Sequence, residues 1–389
     1  MRVRFAVMAA AAAAVLSGCL GDGSPSVSQG DGSPSVSAVK VAGDSLADGG
    51  TYGYKFTVQG ANLAQTRIWV DWVAEAANVR PLCPRYVATS ETNVIANPQA
   101  ANCTNHAVGD ARINVIGTSG QDDTPFSVVK QLRDLGERGY GSRDLLLVNG
   151  GINDIVDLLG AYLEAYLTAG NGSGTAYTAL LAELLSPAQL QAAAAAGQAG
   201  LAQAGDLYML ALADRLADAL RDHALAKGAQ RIALVNAPDI TLTPGFKEFE
   251  EFAQAILGRG VGHALAAQVA HVARSWIQAF NGRLAQRFTG ENRVVVIDLY
   301  GEFGKWLATP AAYGLTNVTT PACPAITDDM GLPEYNIKTC TAAALDATPG
   351  KTAGWWQTYL FSDDDHFTPR ANQLFGEWVT RTLKAKGWL

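Results

Sequence analysis

The chain has 389 residues, a length that favours one large domain or two small ones, and 48% of them are hydrophobic, which is enough for a sizeable core. Its formal net charge at pH 7 is −7, and lysine and arginine form no cluster along the sequence. Composition and charge therefore argue against nucleic-acid binding, which needs a basic surface.

The N-terminal segment has the pattern of an export signal. A positively charged start is followed by an apolar, alanine-rich stretch over residues 5–16, which is too short to span a bilayer. The stretch ends in Leu-Ser-Gly-Cys at residues 16–19, which resembles the cleavage site of bacterial lipoproteins. We therefore expect residues 1–18 to be a signal peptide and Cys19 to carry lipid. An ordinary secretory signal with an incidental cysteine is the alternative.

Residues 19–38 are predicted to form a flexible linker. The sequence Gly-Asp-Gly-Ser-Pro-Ser-Val-Ser occurs twice there, beginning at Gly21 and at Gly30, and such a stretch has too little apolar surface to fold. Leu20, rather than an aspartate, follows the cysteine, which in the bacterial lipoproteins that this segment resembles implies the outer membrane. We therefore expect a cell-envelope protein that is anchored to the membrane by its lipid.

Residues 39–389 alternate short apolar runs with helical stretches. Continuous apolar runs are typical of strands that are buried on both faces of a parallel sheet. Four such strands are predicted, at Ala38–Ala42, Asp144–Asn149, Arg231–Asn236 and Arg293–Leu299. The segments between them are long enough for crossover helices, so we predict a doubly wound α/β domain. Residues 155–226 predict a helical insertion, which is either a cap near the active site or an elaborated crossover without a functional role.

Four cysteines remain after Cys19, and an even number in an exported protein indicates two disulfides. Of the three possible connectivities, we favour the local one, because it closes the shortest loops. It pairs Cys83 with Cys103 and Cys323 with Cys340. A zinc site is the alternative, but these spacings do not match the close cysteine pairs of structural zinc sites.

Gly-Asp-Ser-Leu at residues 43–46 directly follows the first predicted strand. A serine hydroxyl needs a neighbouring base before it becomes a good nucleophile. A strand-to-helix turn would expose Ser45 and place it near a helix N-terminus, which favours negative charge. Gly43 would permit this tight turn. The tetrapeptide alone is a weak signal, because it also occurs by chance.

A second polar group lies close to the C-terminus, in Asp-Asp-Asp-His at residues 363–366. A histidine can take the serine proton, and a carboxylate on its other ring nitrogen fixes the tautomer. Asp363 and His366 are therefore candidates for the acid and the base. One alternative is an acidic surface loop that caps the last helix, which is predicted to begin near Thr368. Another is a divalent-cation site, although adjacent carboxylates rarely complete an oxygen cage.

A third group, Gly-Gly-Ile-Asn-Asp at residues 150–154, directly follows the second predicted strand. In α/β sheets the ligand-binding groups lie at the carboxyl ends of strands, and an amide there can donate a hydrogen bond to an oxyanion. Asn153 is the candidate for this role, and its alternative role is to cap the next helix. The other histidines lack the spacing of a metal site and are interpreted as packing or surface residues. They are His106, His223, His263 and His271.

Together these groups resemble the GDSL, or SGNH, hydrolase family of serine esterases and lipases, and the resemblance covers essentially residues 39–389. Ser45 matches the family's nucleophile, and Asn153 matches its side-chain oxyanion donor. Asp363 and His366 match its acid and base. The groups also occur in the order expected for the family. The resemblance implies a three-layer α/β/α sandwich with a central parallel sheet, of the flavodoxin-like kind.

One segment departs from the family pattern, in which a glycine N–H also donates to the oxyanion. Residues 105–111 read Asn-His-Ala-Val-Gly-Asp-Ala, so Asp110 occupies the glycine position. A backbone N–H is present whatever the side chain, but the carboxylate must point away or be neutralised, for example by Arg112. An alignment shifted to Gly117 or Gly120 is the alternative.

The resemblance implies hydrolysis of carboxylic acyl esters, in small molecules or lipids, through an acyl-enzyme and without a metal or an organic cofactor. The oxyanion would be held by the N–H groups of Ser45 and of Gly109 or Asp110, together with the Asn153 amide. Two alternatives stay open. One is acyl transfer to an alcohol by the same residues, and the other is a binding lipoprotein without catalytic activity on the same fold.

Overall fold

A computed structural model describes residues 36–116, 121–167, 175–327 and 333–389. The central sheet has four parallel strands, in the spatial order in which the chain forms them. Each strand lies inside one of the predicted ranges, so the predicted parallel sheet is confirmed. The strands are β1 (Val39–Ala42), β4 (Leu145–Val148), β5 (Ile232–Val235) and β6 (Val294–Ile297).

Two antiparallel pairs lie outside the central sheet. They are β2 (Tyr86–Ser90) with β3 (Asn93–Ala96), and β7 (Ala325–Thr327) with β8 (Pro333–Tyr335).

Helices cover both faces of the central sheet. Alternate residues of a strand point to opposite faces, and every residue of β4 is buried, so neither face of this strand is open to solvent. Leu145 and Leu147 pack against one helical layer, and Leu146 and Val148 pack against the other. The first layer contains α1 (Trp69–Ala76), α9 (Leu299–Ala308) and α11 (Pro369–Ala385). The second contains α2 (Val128–Glu137), α3 (Ile152–Leu167), α4 (Thr175–Ala182), α6 (Gly197–Leu220) and α8 (Arg259–Arg287). This is the predicted three-layer α/β/α arrangement.

The predicted insertion over residues 155–226 is helical, and the glycine-rich break within it falls partly on residues outside those described. It contributes most of α3, all of α4 and α6, and α5 (Pro187–Ala195). Trp276 of α8 fills the space beside Gly205 of α6, where a Cβ atom would lie 2.1 Å from the indole. The remaining helices are α7 (Pro244–Leu257) and α10 (Ala342–Asp346). None of the helices in the described ranges has the length and apolar character of a membrane span.

The predicted signal peptide, Cys19 and the linker up to residue 35 lie outside the described residues. The described part of the chain begins with Val36, which is buried, and with Ser37, whose Oγ donates to Asp144 Oδ1 at 2.7 Å.

Both disulfides have the local pairing that the sequence favoured. Cys83 is bonded to Cys103 across 20 residues, and Cys323 is bonded to Cys340 across 17 residues. Cys323 and Cys340 belong to a small separate hydrophobic cluster with Trp356. Each bridge therefore closes a segment that contains one of the two antiparallel strand pairs, outside the central sheet.

The carboxyl ends of the strands form one edge of the sheet. The segment at residues 104–106 runs parallel to β1, on the side of β1 that faces away from β4. Val41 N donates to Thr104 O at 3.0 Å, and His106 N donates to Val41 O at 2.8 Å. The loop that follows this segment is thereby carried past the end of β1, next to Ser45.

Candidate active site

Ser45 lies in a tight turn immediately after β1. The Ala47 N–H donates to the Asp44 carbonyl at 3.1 Å, and the Leu46 N–H donates to Asp44 Oδ1 at 3.1 Å. The predicted strand-to-helix turn is wrong, because the first helix begins only at Trp69. An aspartate that bonds its own turn competes with helix formation, so Ser45 does not lie at the start of a helix that continues from its turn.

Gly43 is needed for close packing rather than for an unusual backbone angle. A Cβ atom at this position would lie 2.0 Å from Asn149 Oδ1, at the end of the neighbouring strand β4. The same Asn149 side chain donates through Nδ2 to Asp44 Oδ1 at 2.5 Å. Burial raises the pKa of Asp44 to about 6, although the hydrogen bonds from Leu46 and Asn149 oppose this. Two adjacent strand ends are thus joined beneath Ser45.

The three residues proposed from two distant motifs meet in space. Ser45 Oγ lies 2.8 Å from His366 Nε2, and His366 Nδ1 lies 2.8 Å from Asp363 Oδ2. The other carboxylate oxygen of Asp363 accepts from the N–H groups of His366 at 2.6 Å and Asp365 at 3.0 Å. Because these backbone bonds fix the carboxylate, the imidazole has one preferred orientation toward Ser45.

The electrostatics of this segment favour a charged histidine over a neutral one. Burial lowers the pKa of His366, but the charge and hydrogen bond of Asp363, with the charges of Asp365 and Asp364, outweigh burial and raise it to about 9. For Asp363, burial raises the pKa, and the interactions with His366 more than reverse this, so the net shift is downward. The pair is therefore well suited to stabilise an imidazolium that forms when a proton leaves Ser45.

Two residues predicted to supply hydrogen-bond donors line the same cavity as Ser45. Asn153 lies inside the first turn of α3, which begins at Ile152, so it does not cap that helix. Its Nδ2 donates to Ala111 O at 2.9 Å, which uses one of the two N–H bonds of the amide and orients the other. Asp110 and Asn153 both line the cavity that contains Ser45 and His366.

Gly109 and Asp110 were alternatives for the backbone donor, and the structure separates them. The Gly109 N–H donates to Asp48 Oδ2 at 2.8 Å, so this donor already has a partner in the structure. Asp110 lies on the cavity wall, and its N–H has no acceptor within the described parts of the chain. Asp110 is thus the backbone donor that remains on this loop.

The backbone of Asp110 explains why a glycine is usual at this place. Its φ is +65°, in the left-handed region, which aspartate and asparagine tolerate better than other residues with a Cβ atom. The carboxylate points outward, with 67% of the side chain exposed, and lies 2.9 Å from Arg112 Nη1. The expected neutralisation by Arg112 is therefore present. The alternative positions, Gly117 and Gly120, lie outside the described residues.

Two buried carboxylates hold the Asp110 loop, and the sequence analysis assigned neither of them a role. Asp48 accepts from the N–H groups of Gly50 at 2.8 Å and Thr51 at 2.7 Å, in addition to Gly109. Burial raises the pKa of Asp48 against these bonds. At the other end of the loop, Asp154 accepts from two consecutive backbone N–H groups, and its pKa is raised by burial to about 7. The available signal was that each acid lies one to three residues from a predicted site residue.

The other histidines take no part in this site. Both ring nitrogens of His106 are buried without a hydrogen-bond partner among the described residues, and burial lowers its pKa to about 3. Its ring packs on Tyr86 at 5.4 Å, in agreement with a packing role. His263 lies 2.7 Å from Glu250 on the surface of α8. In the described ranges, no three His, Cys, Asp or Glu residues are grouped so that they could hold a metal ion.

The cavity at the site has a volume of about 190 Å³. Away from Ser45 and His366, its walls are mostly apolar. Phe56 lies against the His366 ring at 5.0 Å between centroids, and Ile152 and Ile240 form part of the opposite wall. Ala237, just before the Ile240 wall, is held by both atoms of the Asn281 amide, at 2.8 and 2.9 Å. Ser45 lines this cavity and is partly exposed, so it is accessible to a bound group.

Comparison with known proteins supports one family. A family model described as GDSL-like Lipase/Acylhydrolase matches residues 39–379, which is most of the chain and contains every residue of the site described above. No curated protein matches the chain.

Proposed function

We propose that this chain, which belongs to the GDSL-like lipase/acylhydrolase family of ester hydrolases, hydrolyses carboxylic acyl esters with Ser45 as its nucleophile. His366 acts as the general base, and Asp363 orients it. The observation that carries the proposal is the continuous row of contacts from Ser45 Oγ through both nitrogens of His366 to Asp363, with 2.8 Å at each step. A base and an orienting acid in this geometry are what an unactivated serine needs.

In the first half of the reaction, Ser45 Oγ attacks the ester carbonyl carbon while its proton passes to His366 Nε2. The negative charge that forms on the carbonyl oxygen is held by the N–H groups of Ser45 and Asp110 and by the Asn153 amide. The bond from the carbonyl carbon to the alcohol oxygen then breaks, and His366 returns the proton to that oxygen. An alcohol leaves, and the acyl group stays on Ser45.

In the second half, water replaces the alcohol. His366 takes a proton from the water as its oxygen attacks the acyl carbon, and the same donors hold the second oxyanion. When the bond to Ser45 Oγ breaks, His366 returns the proton to the serine. The product is a carboxylic acid, and the enzyme is regenerated without a net change.

A serine-reactive phosphonate tests this assignment directly. We expect one covalent adduct, located on Ser45 by peptide mapping, with loss of p-nitrophenyl acetate hydrolysis in proportion to labelling. The Ser45→Ala variant should bind no label and lose about 10⁴-fold or more in kcat. An adduct on another serine, or hydrolysis at the wild-type rate in Ser45→Ala, would contradict the proposal. Added alcohols that divert the acyl group to new esters would instead indicate acyl transfer.

For the N-terminal segment, we propose an exported lipoprotein anchored in the outer membrane through Cys19. This rests on the sequence pattern of residues 1–38 and on no feature of the folded domain. Intact mass of the native protein should match a chain that begins at a lipid-modified Cys19, and the protein should partition into detergent. Cys19→Ser should abolish that modification. An unmodified N-terminus elsewhere would refute the proposal.

A further inference from the structure

A second cavity, of about 270 Å³, adjoins the catalytic one. The two share Ile240, Thr243 and Asp365 as a common border. We call the second cavity the helical groove, because its walls come from α3, α7 and α8. The apolar side chains that form these walls are Val156, Leu159, Leu163, Phe246, Phe249 and Val269.

One face of α3 forms the longest wall of the groove. Val156, Leu159, Gly160 and Leu163 follow a spacing of three and four residues, which places them on one side of the helix. From first to last they span about 10 Å at the helical rise per residue. Val156 is half exposed, whereas the core-facing residues of this helix, such as Leu158, are fully buried. The fold therefore covers this second apolar face only in part, since Leu159 and Leu163 are partly buried.

The opposite wall continues this apolar surface. Phe246 and Phe249 of α7 lie together at 5.5 Å between ring centroids, and Val269 of α8 lies behind them. Apolar cavities of about 150 Å³ already bind small hydrocarbons in proteins, so the groove is large enough for several methylene groups. A contiguous apolar surface beside a reactive group is a common sign of a ligand site.

We propose that the helical groove binds the acyl chain of the ester, so that esters of medium- and long-chain fatty acids are the preferred substrates. This inference rests on the proposed function of Ser45. The Asn153 amide fixes the carbonyl oxygen at the start of α3, and the next turns of the same helix are the groove wall. A chain on the carbonyl carbon passes Ile152 and enters between α3 and α7.

The border of the groove is acidic, which agrees with an ester rather than a fatty acid as the occupant. Asp364 and Asp365 both line it. Burial and the neighbouring carboxylates raise the pKa of Asp364 to about 7, and burial raises the pKa of Asp365. An uncharged ester meets no charge repulsion there, whereas the carboxylate of the released acid lies near like charges once these groups ionise. The groove thus favours entry of the neutral substrate and departure of the anionic product.

The wild-type protein is first assayed with p-nitrophenyl acetate, butyrate, octanoate and dodecanoate, below their solubility limits and without detergent. Each methylene that enters the groove should raise kcat/KM by about fourfold, which corresponds to about 0.8 kcal/mol. From butyrate to octanoate, a difference of four methylenes, the expected rise is therefore about 250-fold. A flat or falling profile would overturn the proposal while leaving the ester hydrolysis itself intact.

Gly160→Phe then fills the groove. A Cβ atom at Gly160 meets no atom within 4 Å, so the ring has space, and replacing a helical glycine does not weaken the helix. We expect octanoate and dodecanoate to lose at least tenfold in kcat/KM, with acetate within twofold of wild type. Gly282→Phe is the matched control, since Gly282 is also helical with open space and lines neither cavity.

The outcomes separate the two proposals. If the wild type turns over none of the esters, the proposed function fails. If it turns over acetate but Gly160→Phe has the chain-length profile of wild type, the groove assignment fails alone. A parallel series of alkyl acetates tests the alcohol side. Loss confined to long alkyl acetates in Gly160→Phe would place the alcohol in the groove and overturn the acyl assignment.

Discussion

The carboxyl edge of the sheet and the helical groove meet at one border, but different interactions build them. At the sheet edge, Ser45, His366 and Asp363 are fixed by hydrogen bonds of 2.6 to 3.0 Å, several of them to backbone N–H groups. The walls of the groove are mostly apolar side chains of three helices, and the polar residues that line it are Thr243, Asp364 and Asp365. The sheet edge fixes the positions of the reacting atoms, whereas the groove provides apolar surface for a substrate chain to contact. Rate and substrate preference should therefore respond to different substitutions.

The largest expected effect comes from the sheet edge. Ser45→Ala and His366→Ala should each lower kcat by about 10⁴-fold or more, and the double variant should lose little beyond either one, because the residues act as a unit. The loss should be equal for acetate and octanoate, since neither residue belongs to the groove. Steady-state kinetics on both esters measure this. A loss that grows with acyl length would break the separation between the two regions.

Asn153→Ala should have the next largest effect. It removes one donor to the oxyanion, and such a loss costs about a hundredfold or more in kcat. Asn153 stands at the junction of the two regions, which makes it the strictest test of the comparison. The ratio of octanoate to acetate kcat/KM should stay as in wild type. Thermal unfolding of the variant serves as the control for its bond to Ala111, and a changed ester ratio would show that Asn153 also positions the chain.

Much of the sheet edge could be predicted from the sequence, because its information is local. The four strands are short continuous apolar runs, and the Asp363–His366 spacing places an acid and a base within one turn. The choice between Gly109 and Asp110 could not be predicted, because it depends on a carboxylate 61 residues away, Asp48, that already uses one N–H. The missing helix after Ser45 had a similar cause in the bonds that Asp44 makes.

The groove could not be predicted for another reason. In the sequence, Val156, Leu159 and Leu163 look like any apolar face of a helix. An alanine- and leucine-rich stretch indicates that a helix is buried, but it does not indicate which element packs against it. Whether such a face packs into the core or borders open space depends on where α7 and α8 lie. That placement results from long-range packing, and no short motif encodes it.

A smaller effect concerns pH. His366 must be neutral to accept the serine proton, so kcat/KM should rise as pH passes upward through its pKa, which Asp363, Asp365 and Asp364 raise above the ordinary 6.5 against the effect of burial. Asp365→Asn removes one of these charges and should move the acidic limb to lower pH. We expect a few tenths of a unit, because exposed charge pairs contribute about 0.2–1 kcal/mol. Asp218→Asn, which changes the net charge equally on another surface, should not move the limb.

The pH shift in Asp365→Asn also tests whether the sheet edge and the helical groove act separately, since Asp365 lines both cavities. The limb should move equally for acetate and octanoate if the carboxylate acts only on the histidine. Salt should reduce the shift, because exposed charges are screened. An acidic limb that moves upward in Asp365→Asn would contradict the charge argument.

The smallest effect is expected at Asp110, where the sheet edge departs from its family. If only the N–H of Asp110 acts on the oxyanion, Asp110→Gly keeps that donor and suits the φ of +65°, so kcat should stay within about threefold of wild type. The lost Asp110 carboxylate is mostly exposed, so its ion pair with Arg112 contributes little. Asp110→Val is the informative partner, because a β-branched residue in left-handed backbone is strained by about 1–3 kcal/mol and should displace the donor. With the acetate ester, kcat of Asp110→Gly should therefore lie near that of wild type, and kcat of Asp110→Val should lie well below both. If Asp110→Gly instead loses as much as Asn153→Ala, the carboxylate itself acts in the reaction, and the donor would have to be sought elsewhere on the loop.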